Sequence, residues 1–262
     1  MKKILVSGIV LLSVFIIYLA NMDREVYYLA LGDSAKIIAD ENENKAYGYS
    51  FYVQKHLKTK GVLEKYVYEY SKSDKRITDL INDIKSNDKI KSITLKNALI
   101  KADLVTLSIR ADDVFAKLKD NETFYNEIYD YIDDLTSDLE KLFKLMREYC
   151  KEDIVFIGYY NPYKSMNNSD IDDVVDYLNK RYKEICKEYD VEFVDISGMD
   201  VSRNMQNDDI RLNSSGCKYI GDKVIEVSDK ILFGTWFLKK CLLQYTRLWI
   251  SMVYFKPWRK ER

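Results

Sequence analysis

Tyr27-Tyr28-Leu29-Ala30-Leu31-Gly32-Asp33-Ser34 is the stretch on which the fold turns. Five apolar or aromatic residues in a row make a short run of strand type, and Gly32 punctuates its end. An acid and a serine follow at once, and a helical pattern begins within about a dozen residues. Outward from this stretch, similar short runs recur at 65–70, 104–109, 154–160 and 191–196. Between them lie segments of helical periodicity at 47–59, 76–101, 121–149, 170–189 and 214–232. In 121–149, Phe124, Ile128, Ile132, Leu135, Leu139, Leu142 and Leu145 recur at steps of three and four, as on one face of an amphipathic helix. Strands alternating with such helices predict a parallel sheet covered on both faces. Right-handed crossovers make it a three-layer, doubly wound α/β domain with a five-stranded parallel sheet, spanning residues 25–232.

The ends of the chain differ from this middle. Residues 4–20 are uncharged and follow Lys2 and Lys3. Seventeen such residues sit at the short end of the ~17–25 that span a bilayer. Tyr18-Leu19-Ala20 puts a bulky residue where a small one would precede a cleavage site, so residues 1–22 are read as a signal anchor, a transmembrane helix. A cleaved secretory signal is the alternative, and both place the domain on the extracytoplasmic side of the cell membrane, with Lys2 and Lys3 inside. From Trp236 to Phe255 most positions are apolar or aromatic, while Lys240, Gln244, Arg247 and Ser251 form one narrow polar stripe. That pattern predicts a basic, aromatic, amphipathic tail over 235–262 that lies on membrane lipid. A second span is disfavoured, because Arg247 would lie near mid-bilayer at about 2.5–3.5 kcal/mol. Packing on the domain itself is the remaining option.

The net charge of −1 hides an asymmetry: residues 236–262 carry +6, which with Lys2 and Lys3 leaves −9 for 21–235. An acidic domain between basic ends excludes a general nucleic-acid binder and suits an anionic membrane surface. Cys150, Cys186, Cys217 and Cys241 lie far apart, with no metal-ligand spacing. They are read as buried small hydrophobes, and no metal or cofactor is expected.

The order of motifs resembles the SGNH/GDSL hydrolase family across residues 27–232. Gly32-Asp33-Ser34 follows the first strand, as that family's opening block does. Leu104 to Asp113, with Arg110-Ala111-Asp112-Asp113, is similar to its third block, a strand ending in Gly-x-Asn-Asp. Phe156 to Pro162 resembles a fourth-strand segment of bacterial members. Asp208-Asp209-Ile210-Arg211-Leu212-Asn213 to Gly216 resembles the closing block, Asp-x-x-His followed by Asn and Gly before the last helix.

The resemblance implies Ser34 as nucleophile and Asp208 as the acid that orients a histidine, but Arg211 stands in the histidine's place. In the oxyanion hole, Asp74 is matched to the second-block Gly, Arg110 to the third-block Gly and Asp112 to the Asn. Each departure has a chemical consequence. Serine is a weak nucleophile without an adjacent base, and arginine stays protonated and cannot be that base. Loss of a triad histidine costs on the order of 10⁶ in turnover elsewhere. Asp112 cannot donate to a forming oxyanion, and one lost donor costs about 10²–10³. A carboxylate base at Asp112, Asp113 or Asp208 lacks the matched pKa that makes such catalysis efficient. The chain's one histidine, His56, lies among lysines on the first helix and is read as a solvated surface residue.

Three functions remain open. One is a pseudo-hydrolase that binds or scaffolds, its converging Arg and Asp residues forming either mutual ion pairs or a pocket for an anionic or carbohydrate ligand. The second is a working serine ester hydrolase, a lipase, acyl- or acetylesterase acting on lipids or cell-wall glycans. The third is a membrane-associated accessory protein acting through its tail.

Overall fold

The computed structural model describes residues 25–33, 38–39, 45–72, 75–86, 88–109, 114, 125–163, 169–205 and 212–234. A five-stranded sheet forms from β1 (Val26–Gly32), β2 (Leu63–Val67), β3 (Leu104–Ser108), β4 (Asp153–Ile157) and β5 (Glu192–Val194). The spatial order is β2-β1-β3-β4-β5, and every neighbouring pair is parallel. All seven residues of β1 are buried, as a central strand covered on both faces requires. In this order the chain reverses its direction of travel across the sheet between β1 and β3, and doubly wound folds place their sites at that switch point.

The helices are α1 (Tyr49–Thr59), α2 (Ile77–Lys85), α3 (Leu95–Lys101), α4 (Tyr125–Tyr149), α5 (Ser169–Glu188), α6 (Val201–Asn204) and α7 (Ser214–Asp229). Strand side chains alternate between faces, so parity assigns the layers. Tyr27, Leu29, Leu31, Val105, Leu107, Ile154 and Phe156 join one apolar cluster with residues of α2, α3, α4 and α5. Tyr28 and Thr106 point the other way, where the Tyr49 hydroxyl of α1 donates to Thr106 Oγ1 at 3.1 Å. Helix α7 packs on α1 so closely that a Cβ at Gly221 would lie 2.8 Å from Tyr52 Cβ. Helix, sheet and helix thus form the expected three layers.

The segment 76–101 corrects the expectation of one helix. Helix α2 stops at Lys85, the pairs Lys89–Ile90 and Ile93–Thr94 make a short antiparallel hairpin, and α3 starts afresh. Lys91 and Ser92 both have positive φ (47° and 70°), as a two-residue hairpin turn demands. The Tyr70 hydroxyl, distant in sequence, lies 2.8 Å from the Ile93 carbonyl and accepts the Ile90 N–H at 3.3 Å. The Thr94 hydroxyl then accepts the Asn97 N–H at 3.1 Å and caps α3. Elsewhere the boundaries move by a few residues: β4 ends at Ile157, and α7 gives way to a π-helical turn at Lys230–Gly234.

Glu25–Ser228 forms one compact unit. Among the described residues no helix is long and apolar enough to cross a membrane. The anchor expected at 1–22 and the tail expected at 235–262 lie outside the described residues. Cys150, Cys186 and Cys217 are free and buried, as small hydrophobes would be.

Candidate active site

Gly32 closes β1 with φ +86°, and a Cβ there would lie 1.7 Å from the Ser108 carbonyl oxygen. Only glycine permits that approach. The payoff is continuity: the Asp33 N–H donates to the Ser108 carbonyl at 2.8 Å, and the Ser108 hydroxyl donates to the Asp33 carbonyl. From the opposite side the Ser71 hydroxyl donates to the Ala30 carbonyl at 2.8 Å, and Ser71 bridges Gly32. The backbone leading into residue 34 is therefore held from both neighbouring strands.

Beneath this turn lies a buried hydroxyl cluster. Thr106 Oγ1 is 2.8 Å from the Tyr28 hydroxyl and takes the hydrogen bond from Tyr49. Burial holds the Tyr28 phenol well above its ordinary pKa, and Tyr49 is raised by the same cause. The Asp33 carboxylate adds smaller upward pushes on Tyr49, on Tyr159 and on Cys217, whose thiol burial raises to about 12. Asp33 thus sits among the start of α1, the end of β4 and the first turn of α7.

Ser34, Asp74, Arg110, Asp112, Asp208 and Arg211 all lie outside the described residues. The described residues that bound them are informative. Asp33 follows β1, Lys75 and Arg76 lead into α2, and Ile109 follows β3. Because the strands are parallel, these exits share one edge of the sheet. Met205 and Leu212, on either side of 206–211 in sequence, form an antiparallel bridge. Asn213 pins it, donating from Nδ2 to the carbonyls of Arg203 and Met205, both at 2.9 Å. Its Oδ1 accepts the Gly216 N–H at 3.0 Å and caps α7. A Cβ at Gly216 would lie 2.2 Å from the Asn204 carbonyl oxygen, so the Asn and Gly of the closing block hold backbone in place.

His56 falls elsewhere. Its carbonyl accepts the Lys60 N–H in the last turn of α1, and the chain then runs through Val62, whose carbonyl accepts the Val26 N–H at 2.7 Å. The only histidine in the chain is therefore at the amino edge of the sheet, opposite Gly32 and Asp33. It is half-buried rather than solvated, because it flanks the Val53 and Leu57 face that packs on the sheet.

Sequence reasoning missed Asn179. Tyr159 N–H donates to its Oδ1 at 2.8 Å and its Nδ2 donates to the Tyr159 carbonyl at 2.9 Å, so one buried amide completes the backbone after β4. The available signal was a polar residue on the apolar stripe of Val175, Leu178 and Tyr182. Asn161 acts similarly, accepting the Tyr163 N–H and donating to Asp172 at 2.9 Å. Also missed was a cavity of about 220 Å³ beside this edge. Its floor includes Ile109, Tyr159, Leu178 and Tyr182, and its charged rim Arg76, Asp134 and Asp138. Among the described residues no group of His, Cys, Asp and Glu is arranged to hold a metal ion.

The profile of the GDSL-like lipase/acylhydrolase family matches residues 28–224, three-quarters of the chain. The chain belongs to the GDSL-like lipase/acylhydrolase family. Solved structures agree on the fold of this GDSL-like domain. The lipase Lip_vut3 from a goat rumen metagenome is 15% identical, with a TM-score of 0.62 over 75% of this chain and 94% of that one. The acetylxylan esterase Axe2 of Geobacillus stearothermophilus is 15% identical, with a TM-score of 0.55 over 78% and 94%. Phospholipase A1 of Streptomyces albidoflavus is 14% identical, with a TM-score of 0.50 over 77% and 98%. No relative is found among the curated proteins.

Proposed function

We propose that this GDSL-like domain is a pseudo-hydrolase, a binding or scaffold domain tethered to membrane lipid through residues 4–20 and 236–255, on the extracytoplasmic side. The observation that carries the reading is the position of His56. A general base must lie within about 2.6–3.2 Å of the proton it takes. From Tyr49, whose hydroxyl reaches Thr106 in β3, to His56 is seven residues of helix, or about 10 Å toward the wrong edge. His56 is then placed to serve no nucleophile at that edge, Arg211 stays protonated and cannot be the base, and Asp112 as a carboxylate cannot be an oxyanion donor.

The rival is a serine ester hydrolase, and it draws on the intact turn at Gly32 and Asp33. The full chain, assayed on short acyl esters and acetylated glycans beside Ser34→Ala, separates the two. We expect equal background turnover for both proteins. Turnover that vanishes with Ser34→Ala would overturn the proposal. For the tether, sedimentation of the chain with and without 236–262 on anionic vesicles tests the tail, the amino-terminal segment being removed from both. Equal binding would rule out an interfacial role.

A further inference from the structure

We infer that the amino edge of the sheet, around the start of β1, is a docking surface for an anionic lipid bilayer. This deepens the membrane reading above and rests on it. Connectivity comes first. The uncharged segment 4–20 joins Glu25 through residues 21–24, and those five steps reach no more than about 18 Å even fully extended. With that segment in lipid, β1 starts within the same distance of the bilayer. The last helix of the unit runs back to this edge too. Cys217, in the first turn of α7, feels the Asp33 carboxylate at the carboxyl edge, and α7 then packs on α1 at Gly221. Both exits of the unit Glu25–Ser228 therefore lie at the amino edge.

The side chains at that edge select the partner. Crossover helices run back against parallel strands, so the ends of α1 and α3 flank the start of β1 from opposite faces. The links are direct. Val26 N–H donates to the Val62 carbonyl just beyond α1, and Asp103 N–H, just beyond α3, donates to the Tyr27 carbonyl at 3.0 Å. Neither helix contains an acid, although residues 21–235 together carry −9. Lys55, Lys58 and Lys60 are exposed at the end of α1, Lys101 at the end of α3, and Lys65 beside them on β2. A helix end carries about half a negative charge, which one cation offsets, and α1 brings three. The acids nearby are Glu25, Glu64 and Asp103, and the Asp103 carboxylate is engaged by the Tyr27 N–H at 2.8 Å.

An apolar group gives a second, independent signal. Ile100, beside Lys101 in the last turn of α3, is 56% exposed, more than any other large apolar side chain among the described residues. One exposed isoleucine is ordinary in water. Set among lysines at the edge nearest an apolar segment, it makes an interfacial contact, with the apolar group among headgroups and the cations over phosphates. The far end of the same edge is unlike this. There Glu148, Glu152, Glu188, Asp190 and Glu192 outnumber Lys151 and Lys187, and Arg147 is committed to backbone carbonyls. The domain thus rests on its α1 and α3 corner. Gly32 and Asp33 stand about 20 Å farther out along β1, and the candidate site takes its ligand from the aqueous side.

The test is the orientation of the full chain on vesicles of phosphatidylglycerol and phosphatidylcholine, beside vesicles of phosphatidylcholine alone. In a Cys241→Ser background a fluorophore is attached at Thr59→Cys, in the last turn of α1, or at Thr78→Cys, at the carboxyl edge; the three described native thiols are buried. Lipid carrying a headgroup quencher should quench the label at 59 more than the label at 78 in the anionic vesicles. The difference should shrink in phosphatidylcholine, a comparison that leaves the protein unaltered. Replacing Lys55, Lys58 and Lys101 by glutamine keeps helix propensity. At about fivefold per lysine it moves the docking equilibrium on the order of a hundredfold, so the difference should vanish while the chain still floats with the vesicles. Equal quenching at the two positions, or a difference unchanged by neutral lipid or by glutamine, overturns the inference. A full chain that does not float overturns the tether and this inference together, whereas a floating chain with equally quenched labels strikes this inference alone.

Discussion

Replacing Asn179 isolates the contact that couples the scaffold to the cavity. Its amide satisfies both backbone groups of Tyr159, N–H at 2.8 Å and carbonyl at 2.9 Å, in a buried setting. Asn179→Ala leaves that donor and that acceptor without partners. Each unsatisfied buried polar group costs about 1–3 kcal/mol, so the pair should cost about 2–6 kcal/mol. Asn179→Asp is the finer probe. It keeps an acceptor for the Tyr159 N–H but turns a carboxylate oxygen toward the Tyr159 carbonyl. Burial and that carbonyl raise the new carboxyl's pKa in the folded state above its unfolded value near 3.9. The variant should therefore be most stable below about pH 4 and lose stability as pH rises through the folded value. Urea unfolding monitored by circular dichroism measures both variants, with an unchanged m-value as the check on two-state behaviour. A cost for Asn179→Ala below about 0.5 kcal/mol is what a surface substitution gives, and it would refute the reasoning.

Other contacts make equally specific demands. Gly32→Ala, with φ +86° and a Cβ 1.7 Å from the Ser108 oxygen, should cost more than about 4 kcal/mol or prevent folding. Gly61→Ala, at φ +73° with nothing within 4 Å, should cost only about 1–2 kcal/mol, and equal losses in urea unfolding would sink the steric argument. The Arg147 guanidinium donates to the carbonyls of Tyr189 at 2.9 Å and Glu152 at 2.6 Å, and also to Asp190, tying the ends of α4 and α5 together. Arg147→Met keeps the stem and loses the donors, for an expected loss of about 2–4 kcal/mol, below the full strength of about 1.5–3 for each charge-assisted bond because two of the three are exposed to water, and Arg147→Lys should recover less than half. Burial raises Cys217 to about 12 and Cys186 further. A thiol raised in the folded state stabilises fully below its unfolded pKa near 9 and progressively less above it. Unfolding free energy should thus fall by about 1 kcal/mol per thiol between pH 9 and 10, and Cys217→Ala should remove one share.

Much of this molecule was legible as a string. The apolar run before Gly32, the three- and four-residue steps of Ile128, Ile132, Leu135 and Leu139, and the spacing of the motifs are short-range facts. Local periodicity reports them because each side chain's face follows from its neighbours along the chain. The resemblance to the family, read from residue identities and motif order, is what matched Arg211 to the position of a histidine. Tertiary structure alone decided the rest. The hairpin inside 76–101 depends on the Tyr70 hydroxyl, some twenty residues away, so a helical pattern could not exclude it. His56 acquired meaning only when parallel strands put α1's last turn at the edge away from Asp33. Asn179 interrupts an apolar stripe, and only its meeting with Tyr159 accounts for it. Periodicity decides which face a residue occupies. Which partner it meets there is decided by the packing of distant elements, and the cavity, the clamp on Asp33 and the placing of His56 at the opposite edge all belong to that second kind of fact.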